Sequence, residues 1–137
     1  GIAGHAFIGQ DKADNGYFSR ILCVQDLSAV TAACLMVRKS VYDEVKGLDE
    51  DYRVAFNDID FCLKVRKAGY LVVYNPYAQF YHYESKSRGL EDSADKVARF
   101  QQEIALFGSH WEDILEHGDP YYNPNLTLDK ADFSLKE

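Results

Sequence analysis

Long apolar runs are missing from this sequence. No stretch approaches the ~18–20 residues that span a bilayer, and no basic segment followed by an apolar one marks a secretory signal at the start. Cysteine is sparse: Cys23, Cys34 and Cys62 are three, an odd number at wide spacing. That pattern fits neither a disulfide framework nor a cysteine-built zinc site. Cys34 and Cys62 sit in apolar stretches and read as small core residues, in a reducing, cytoplasmic setting. Basic charge is in deficit, with 15 Lys and Arg against 22 Asp and Glu and a net charge of −7. Neutralising a nucleic-acid backbone needs the opposite balance, so no nucleic-acid partner is expected. Internal repeats and low-complexity tracts are lacking as well. Methionine occurs once, at Met36, and the opening Gly1-Ile2-Ala3-Gly4-His5 reads as text from the interior of a longer chain.

What is present is the composition of a folded protein. Apolar residues make up 47% and charged residues 27% of 137 residues, a domain-sized chain able to bury a modest core. Tyrosine leads the aromatics, with 10 Tyr against 8 Phe and 1 Trp. Tyr joins an apolar face to a polar tip, which suits packing and also the stacking of sugar rings.

Residues 1–20, rich in Gly, Asp and Asn, read as a loop or lid anchored by Phe7 and Phe18. Arg20–Val24 reads as a short strand. The run Val30–Val37 (VTAACLMV) has the length and continuity of a buried strand. Ser40 caps a short helix, Val41–Lys46, stopped at Gly47. Asn57 caps a longer helix, Asp58–Ala68, whose Ile59, Cys62, Leu63 and Val65 share a broad face and whose Lys64, Arg66 and Lys67 suit the negative end of the helix dipole. Gly69 ends it. Tyr70–Tyr74 and Ala78–Tyr83 read as further strands, and Ser85–Arg88 as a polar, basic loop. A second long helix, Ala94–Phe107, carries Val97, Phe100, Ile104 and Phe107 on one stripe and breaks at Gly108. Ser109 and Glu112 form a capping box for a last short helix with Trp111, Ile114 and Leu115. Residues 119–137 read as an extended tail. Helices alternating with buried strands predict an α/β layer.

Two segments carry chemistry. In Ala55-Phe-Asn-Asp-Ile-Asp60, Asp58 and Asp60 stand at the mouth of a helix. One reading is a general base able to reach a substrate hydroxyl. The other is local: Asn57 caps, and acidic residues stabilise the first turn. In Phe80-Tyr-His-Tyr-Glu-Ser-Lys-Ser-Arg-Gly89, His82 is either a metal ligand or a packed histidine near a strand end. Lys86 and Arg88 either neutralise a diphosphate or belong to a solvated loop. His110 and His117, flanking Trp111, read as structural or exposed, and His5 carries no reading of its own.

Taken in order, these stretches resemble the C-terminal, acceptor and catalytic-base half of a family 2 glycosyltransferase. The resemblance is carried by Val30-Thr-Ala-Ala-Cys-Leu-Met-Val-Arg-Lys-Ser40, Gly47-Leu-Asp-Glu50, Phe56-Asn-Asp-Ile-Asp-Phe-Cys-Leu63, Arg66-Lys-Ala-Gly-Tyr-Leu-Val-Val-Tyr74 and Tyr81-His-Tyr-Glu-Ser-Lys-Ser-Arg-Gly89. It extends to Asp119-Pro-Tyr-Tyr-Asn-Pro-Asn-Leu126, similar to the tail of bacterial cell-surface polysaccharide, rhamnosyltransferase-like enzymes. It implies an α/β architecture, the C-terminal part of a GT-A (nucleotide-diphospho-sugar transferase-like) fold with few strands and flanking helices. Within it, 1–20 would be the loop or lid, 20–89 the strand-helix-strand catalytic half, 90–118 the C-terminal helices and 119–137 the tail.

The resemblance further implies inverting transfer of a sugar from a nucleotide-diphospho-sugar donor to a glycan or lipid-linked glycan acceptor, in the cytoplasm or at the inner face of the membrane. Asp58 matches the family's catalytic base. The residue before the base is usually Glu in the family and is Asn57 here. Asp60 and Thr31 support the motif and the acceptor side. His82 matches a histidine that completes the coordination of a donor-bound cation, Mn or Mg. Lys86, Ser87 and Arg88 match the loop over the donor diphosphate. Asp49-Glu-Asp51 and Asp58-Ile-Asp60 both have the Asp-x-Asp form, yet neither stands where the family keeps its metal motif. That motif lies in a preceding half of ~100 or more residues, so most of the cation's ligands would come from there and the isolated chain is expected to be inactive. A sheet cut from its neighbours exposes an edge, so self-association is expected. Two other functions remain open at this point: a non-catalytic glycan-binding or assembly module, and a metal-dependent hydrolase built on Asp58, Asp60 and His82.

Overall fold

The computed structural model describes residues 3–83 and 94–136. Along the chain run two 3-10 turns joined across a kink within Tyr17–Leu22, strand β1 (Gln25–Asp26), a 3-10 turn at Ala32–Cys34, helix α1 (Lys39–Glu44), helix α2 (Asn57–Lys67), strand β2 (Val73–Tyr74), helix α3 (Ala94–His110) and helix α4 (Glu112–His117). The architecture is mixed α/β. Among the described residues the sheet is one antiparallel pair, with Gln25 opposite Tyr74 and Asp26 opposite Val73. No helix of the described residues is long and apolar enough to cross a membrane.

Helix α2 is the centre of the packing because it is apolar on two sides. Phe61, Cys62 and Val65 join Val41 of α1 and Val72, with Ala29, Val30, Leu35 and Val37 against them. Leu63 and Ile59 join Tyr52, Phe107, Leu106 and Trp111 on the other side. The predicted stop at Gly69 is present: the Gly69 amide donates to the Arg66 carbonyl at 2.9 Å and the Tyr70 amide to Val65 at 3.2 Å. This is the paired closure that a left-handed residue permits, and Gly69 has φ 91°. At the end of α1 the left-handed position falls on Lys46, φ 63°, with Gly47 following at φ 65°. A Cβ on Gly47 would stand 2.6 Å from the Tyr42 ring.

Several expectations are corrected. Val30–Val37 is not a strand: Thr31 opens a 3-10 turn, its hydroxyl accepting from the Ala33 amide at 3.3 Å. Cys34, expected in the core, is exposed. Arg20–Val24 is mostly 3-10 turn, and the strand begins just after it, at Gln25. Tyr70–Tyr74 contributes only Val73–Tyr74 as strand, and 78–83 has no strand pairing. The N-cap of α2 is Phe56, held at φ 65°, and Asn57 is the first helical residue. Helix α3 runs through Gly108, which needs no special backbone angle in a helix. Ser109 therefore lies inside α3 and donates to the Leu106 carbonyl at 2.8 Å instead of capping α4. Of the stripe expected on α3 only Phe107 is buried, Val97 and Phe100 being exposed and Ile104 half-buried, and Phe18 is 85% exposed rather than an anchor. The segment 119–136 folds back on itself. Leu126 bridges Leu135 in antiparallel fashion, and Leu126 and Phe133 are buried.

Candidate functional site

The mouth of α2 is assembled from three directions. From below, Asn57 accepts the Asp58 amide on its side-chain oxygen at 2.8 Å. From the side, the Asp58 carboxylate accepts the Ala32 amide at 3.1 Å through one oxygen and the Ile59 amide at 2.9 Å through the other. One turn along, the Cys62 thiol donates to the Val30 carbonyl at 3.7 Å, fastening the same loop to the same helix. Burial pushes the Cys62 thiol above its ordinary range, the Val30 bond opposes this, and the Asp58 charge adds to it. The predicted residues Asp58, Asn57 and Thr31 are thus brought together. Asp58 is half-buried. A carboxylate offers about four lone-pair positions. Two are engaged here by backbone amides, so the group is oriented while keeping acceptor capacity for a hydroxyl.

Asp60 is turned away from this mouth. It is 2% exposed, accepts the Trp111 indole N–H at 2.9 Å on Oδ1, and has the Lys64 ammonium at 3.2 Å from Oδ2. The local reading of Asp60 therefore has a specific content: it ties α2 to the α3–α4 junction. His110 and His117 are also occupied locally. His110 Nδ1 lies 3.2 Å from the Tyr52 hydroxyl, and His117 Nδ1 lies 2.8 Å from the Asp113 carbonyl.

His82 lies on an exposed stretch beyond Pro76. Lys86, Ser87 and Arg88 lie outside the described residues. Among the described residues no three His, Cys, Asp or Glu side chains come together as a group able to hold a metal ion. Asp58, Asp60 and His82 form no such cluster, so these residues do not by themselves fit a divalent cation.

One buried carboxylate beside the segment that leads into α2 is not picked out by the sequence motifs. Glu103, buried on α3, accepts three successive backbone amides: Arg53 at 2.9 Å and Val54 at 3.1 Å on one oxygen, and Ala55 at 2.8 Å on the other. Its signal was available, since it lies between Phe100 and Phe107 at helical spacing, a carboxylate within an apolar stripe.

The chain is 48% identical over 136 residues to an uncharacterized protein of Sinorhizobium fredii, covering 98% of this chain and 15% of that protein. It is 29% identical over 137 residues to the O-antigen biosynthesis protein RfbC of Myxococcus xanthus, 99% of this chain and 10% of that protein. Over 78 residues, 57% of this chain, it is 35% identical to the N-acetylglucosaminyl-diphospho-decaprenol L-rhamnosyltransferase of Mycobacterium tuberculosis, of which it covers 25%. The chain thus spans between a tenth and a quarter of the length of these relatives. No protein-family profile and no solved structure matches it. The likenesses to the two named proteins support a glycosyltransferase-like relationship.

Proposed function

We propose that this chain is the catalytic-base part of an inverting glycosyltransferase of the family 2, GT-A type, moving a sugar from a nucleotide-diphospho donor to a glycan or lipid-linked glycan acceptor. The observation that carries the reading is Asp58, a half-buried carboxylate at a helix mouth held by the Ala32 amide at 3.1 Å. It sits in a chain similar across nearly its whole length to an O-antigen biosynthesis protein.

The chemistry is a single displacement. The acceptor oxygen attacks the anomeric carbon, its proton passes to an Asp58 oxygen, and the bond from the anomeric carbon to the diphosphate oxygen breaks with its electrons on the diphosphate. Attack opposite the leaving group inverts the carbon. The Ala32 and Ile59 amides hold the carboxylate in place throughout, so little reorganisation is needed at the moment of transfer. Lys86, Ser87 and Arg88 would face the diphosphate. Any cation taking His82 as a ligand needs further ligands from outside the described residues. The chain by itself is expected not to turn over, and to associate with copies of itself.

The test is Asp58→Asn in the full-length protein. A nucleoside-diphospho-rhamnose donor and a lipid-diphospho-N-acetylglucosamine acceptor serve as probes, chosen from the name of the mycobacterial relative. Transfer should be lost and donor binding kept; transfer that persists removes Asp58 from the chemistry. A second reading, a glycan-binding module, is favoured by the exposed aromatics Tyr77, Phe80, Tyr81 and Tyr83. Glycan binding that survives Asp58→Asn and is lost in Tyr77→Ala or Tyr81→Ala would select it.

A further inference from the structure

The geometry points to Glu103 as a positioning residue for Asp58, acting through the backbone of residues 53–55. This deepens the proposed reading of Asp58 as the base and rests on it. Three amides in a row, those of Arg53, Val54 and Ala55, donate to the one carboxylate. Backbone amides in a row converge on an acceptor only where the chain curls around it, and an anion fixes that curl. The curl ends on Phe56, whose left-handed φ of 65° is unusual for a residue with a bulky side chain and opens α2 one residue later. Phe56 is gripped by the same helix that supplies Glu103: its ring stacks on Phe100, with centroids 5.6 Å apart, and tilts against Phe107 at 5.3 Å. Phe100, Glu103 and Phe107 fall on one face of α3 at the helical spacing. That face therefore dictates where α2 starts and in which direction its first carboxylate leaves the helix.

Glu103 itself is buried, with the Arg99 guanidinium 3.9 Å from it in an ion pair. A carboxylate that satisfies three amides is hard to replace. Glutamine keeps the shape but presents an NH2 group to one set of donors. Alanine leaves all three amides without their acceptor.

Amide hydrogen exchange on the full-length protein tests the placement without any substrate. Glu103→Gln is compared with the parent, and Glu103→Ala is added where it folds. The 53–55 amides should exchange faster, and the Ala32 amide, which donates to Asp58, should speed up by about ten-fold. Asp58→Asn should disturb only the two amides its carboxylate holds, those of Ala32 and Ile59, and leave 53–55 unchanged. Faster exchange confined to 53–55 would make Glu103 a loop fastener only and overturn the proposal. Equal acceleration of the Leu63 and Val65 amides, in the middle of α2, would overturn it too, because the effect would then be general loosening. With the rhamnose donor probe, Glu103→Gln should lower kcat about 10–100-fold at unchanged donor KM. Unchanged kcat alongside a disabled Asp58→Asn variant would show that Asp58 is the base without needing Glu103. An active Asp58→Asn variant would remove the base reading while leaving the exchange result to judge the contact.

Discussion

Trp111 donates its indole N–H to the buried carboxylate of Asp60 at 2.9 Å, and the other oxygen of that carboxylate faces the Lys64 ammonium. This joins the middle of the chain to the α3–α4 corner and explains why an acidic residue can lie inside the packed face of α2. Charge inside a core is tolerated when both oxygens are engaged.

Asp60→Ala should therefore destabilise the fold by about 2–4 kcal/mol, because it strands both the indole donor and the Lys64 charge. Asp60→Asn keeps an acceptor for Trp111 and should cost about 1 kcal/mol, the ion pair being lost while the hydrogen bond stays. Urea denaturation followed by circular dichroism reads both. In the full-length protein Asp60→Asn should keep sugar transfer where Asp58→Asn loses it. Loss of transfer in a stably folded Asp60→Asn variant would assign Asp60 a part in the chemistry.

The elements that were legible in the sequence are those specified locally. Helix α2 announces itself through its apolar face, its basic last turn and Gly69, all within one short segment. The mouth of α2 was legible as well, since Asp58 stands out by position. The Val30–Val37 run misleads because composition cannot see Asp58 reaching across to the Ala32 amide, or Thr31 turning back on Ala33. Both contacts bend a segment that its side chains alone would leave extended. Glu103 could have been noticed between Phe100 and Phe107, but its three partners lie some fifty positions upstream. The folded-back tail depends on Phe133 meeting Phe7 and Tyr17 from the opposite end of the chain.

Alkaline pH should weaken the fold. Burial pushes the Tyr52 hydroxyl well above its ordinary value of 10.0, with the Asp60 charge next in importance, and burial raises Cys62 above its ordinary 9.0. Both groups hold their protons in the folded chain at pH values where the unfolded chain has released them. The stability they support is complete below the ordinary values and declines as pH rises through and beyond them. Urea midpoints should fall progressively above about pH 9, and Tyr52→Phe should flatten the part of the fall above about pH 10. An unchanged slope in Tyr52→Phe would remove Tyr52 from the account.

The three cysteines should separate by reactivity. Cys23 and Cys34 are exposed, whereas Cys62 is buried in the cluster around Phe61 and Val65 with its thiol pKa raised. Thiolate is the reactive form and needs access. A thiol reagent at about pH 8 should modify Cys23 and Cys34 quickly and Cys62 only on unfolding, as read by mass spectrometry of the labelled peptides. Rapid labelling of Cys62 would mean that α2 opens from Val30 far more readily than its packing implies.

The two ends of the chain should loosen together. The Phe133 ring, 7% exposed, lies 5.0 Å from Phe7, 5.2 Å from Tyr17 and 5.6 Å from Tyr122, with the Arg20 guanidinium 5.7 Å from its centre. Four side chains from three segments thus converge on one ring. The backbone around it is held by the Thr127 amide donating to Ser134 at 2.8 Å and the Lys136 amide to Asn125 at 2.9 Å. Removing the ring should cost about 3 kcal/mol, the usual scale for a buried Phe truncated to Ala. That cost falls on the ends rather than on α2, whose two clusters do not include Phe133. Limited proteolysis of Phe133→Ala should therefore cut within 3–20 and within 119–136 at similar, raised rates, while cleavage near α2 stays as slow as in the parent. Faster cutting of the tail alone, with 3–20 still protected, would show that the first residues are held by contacts other than this ring.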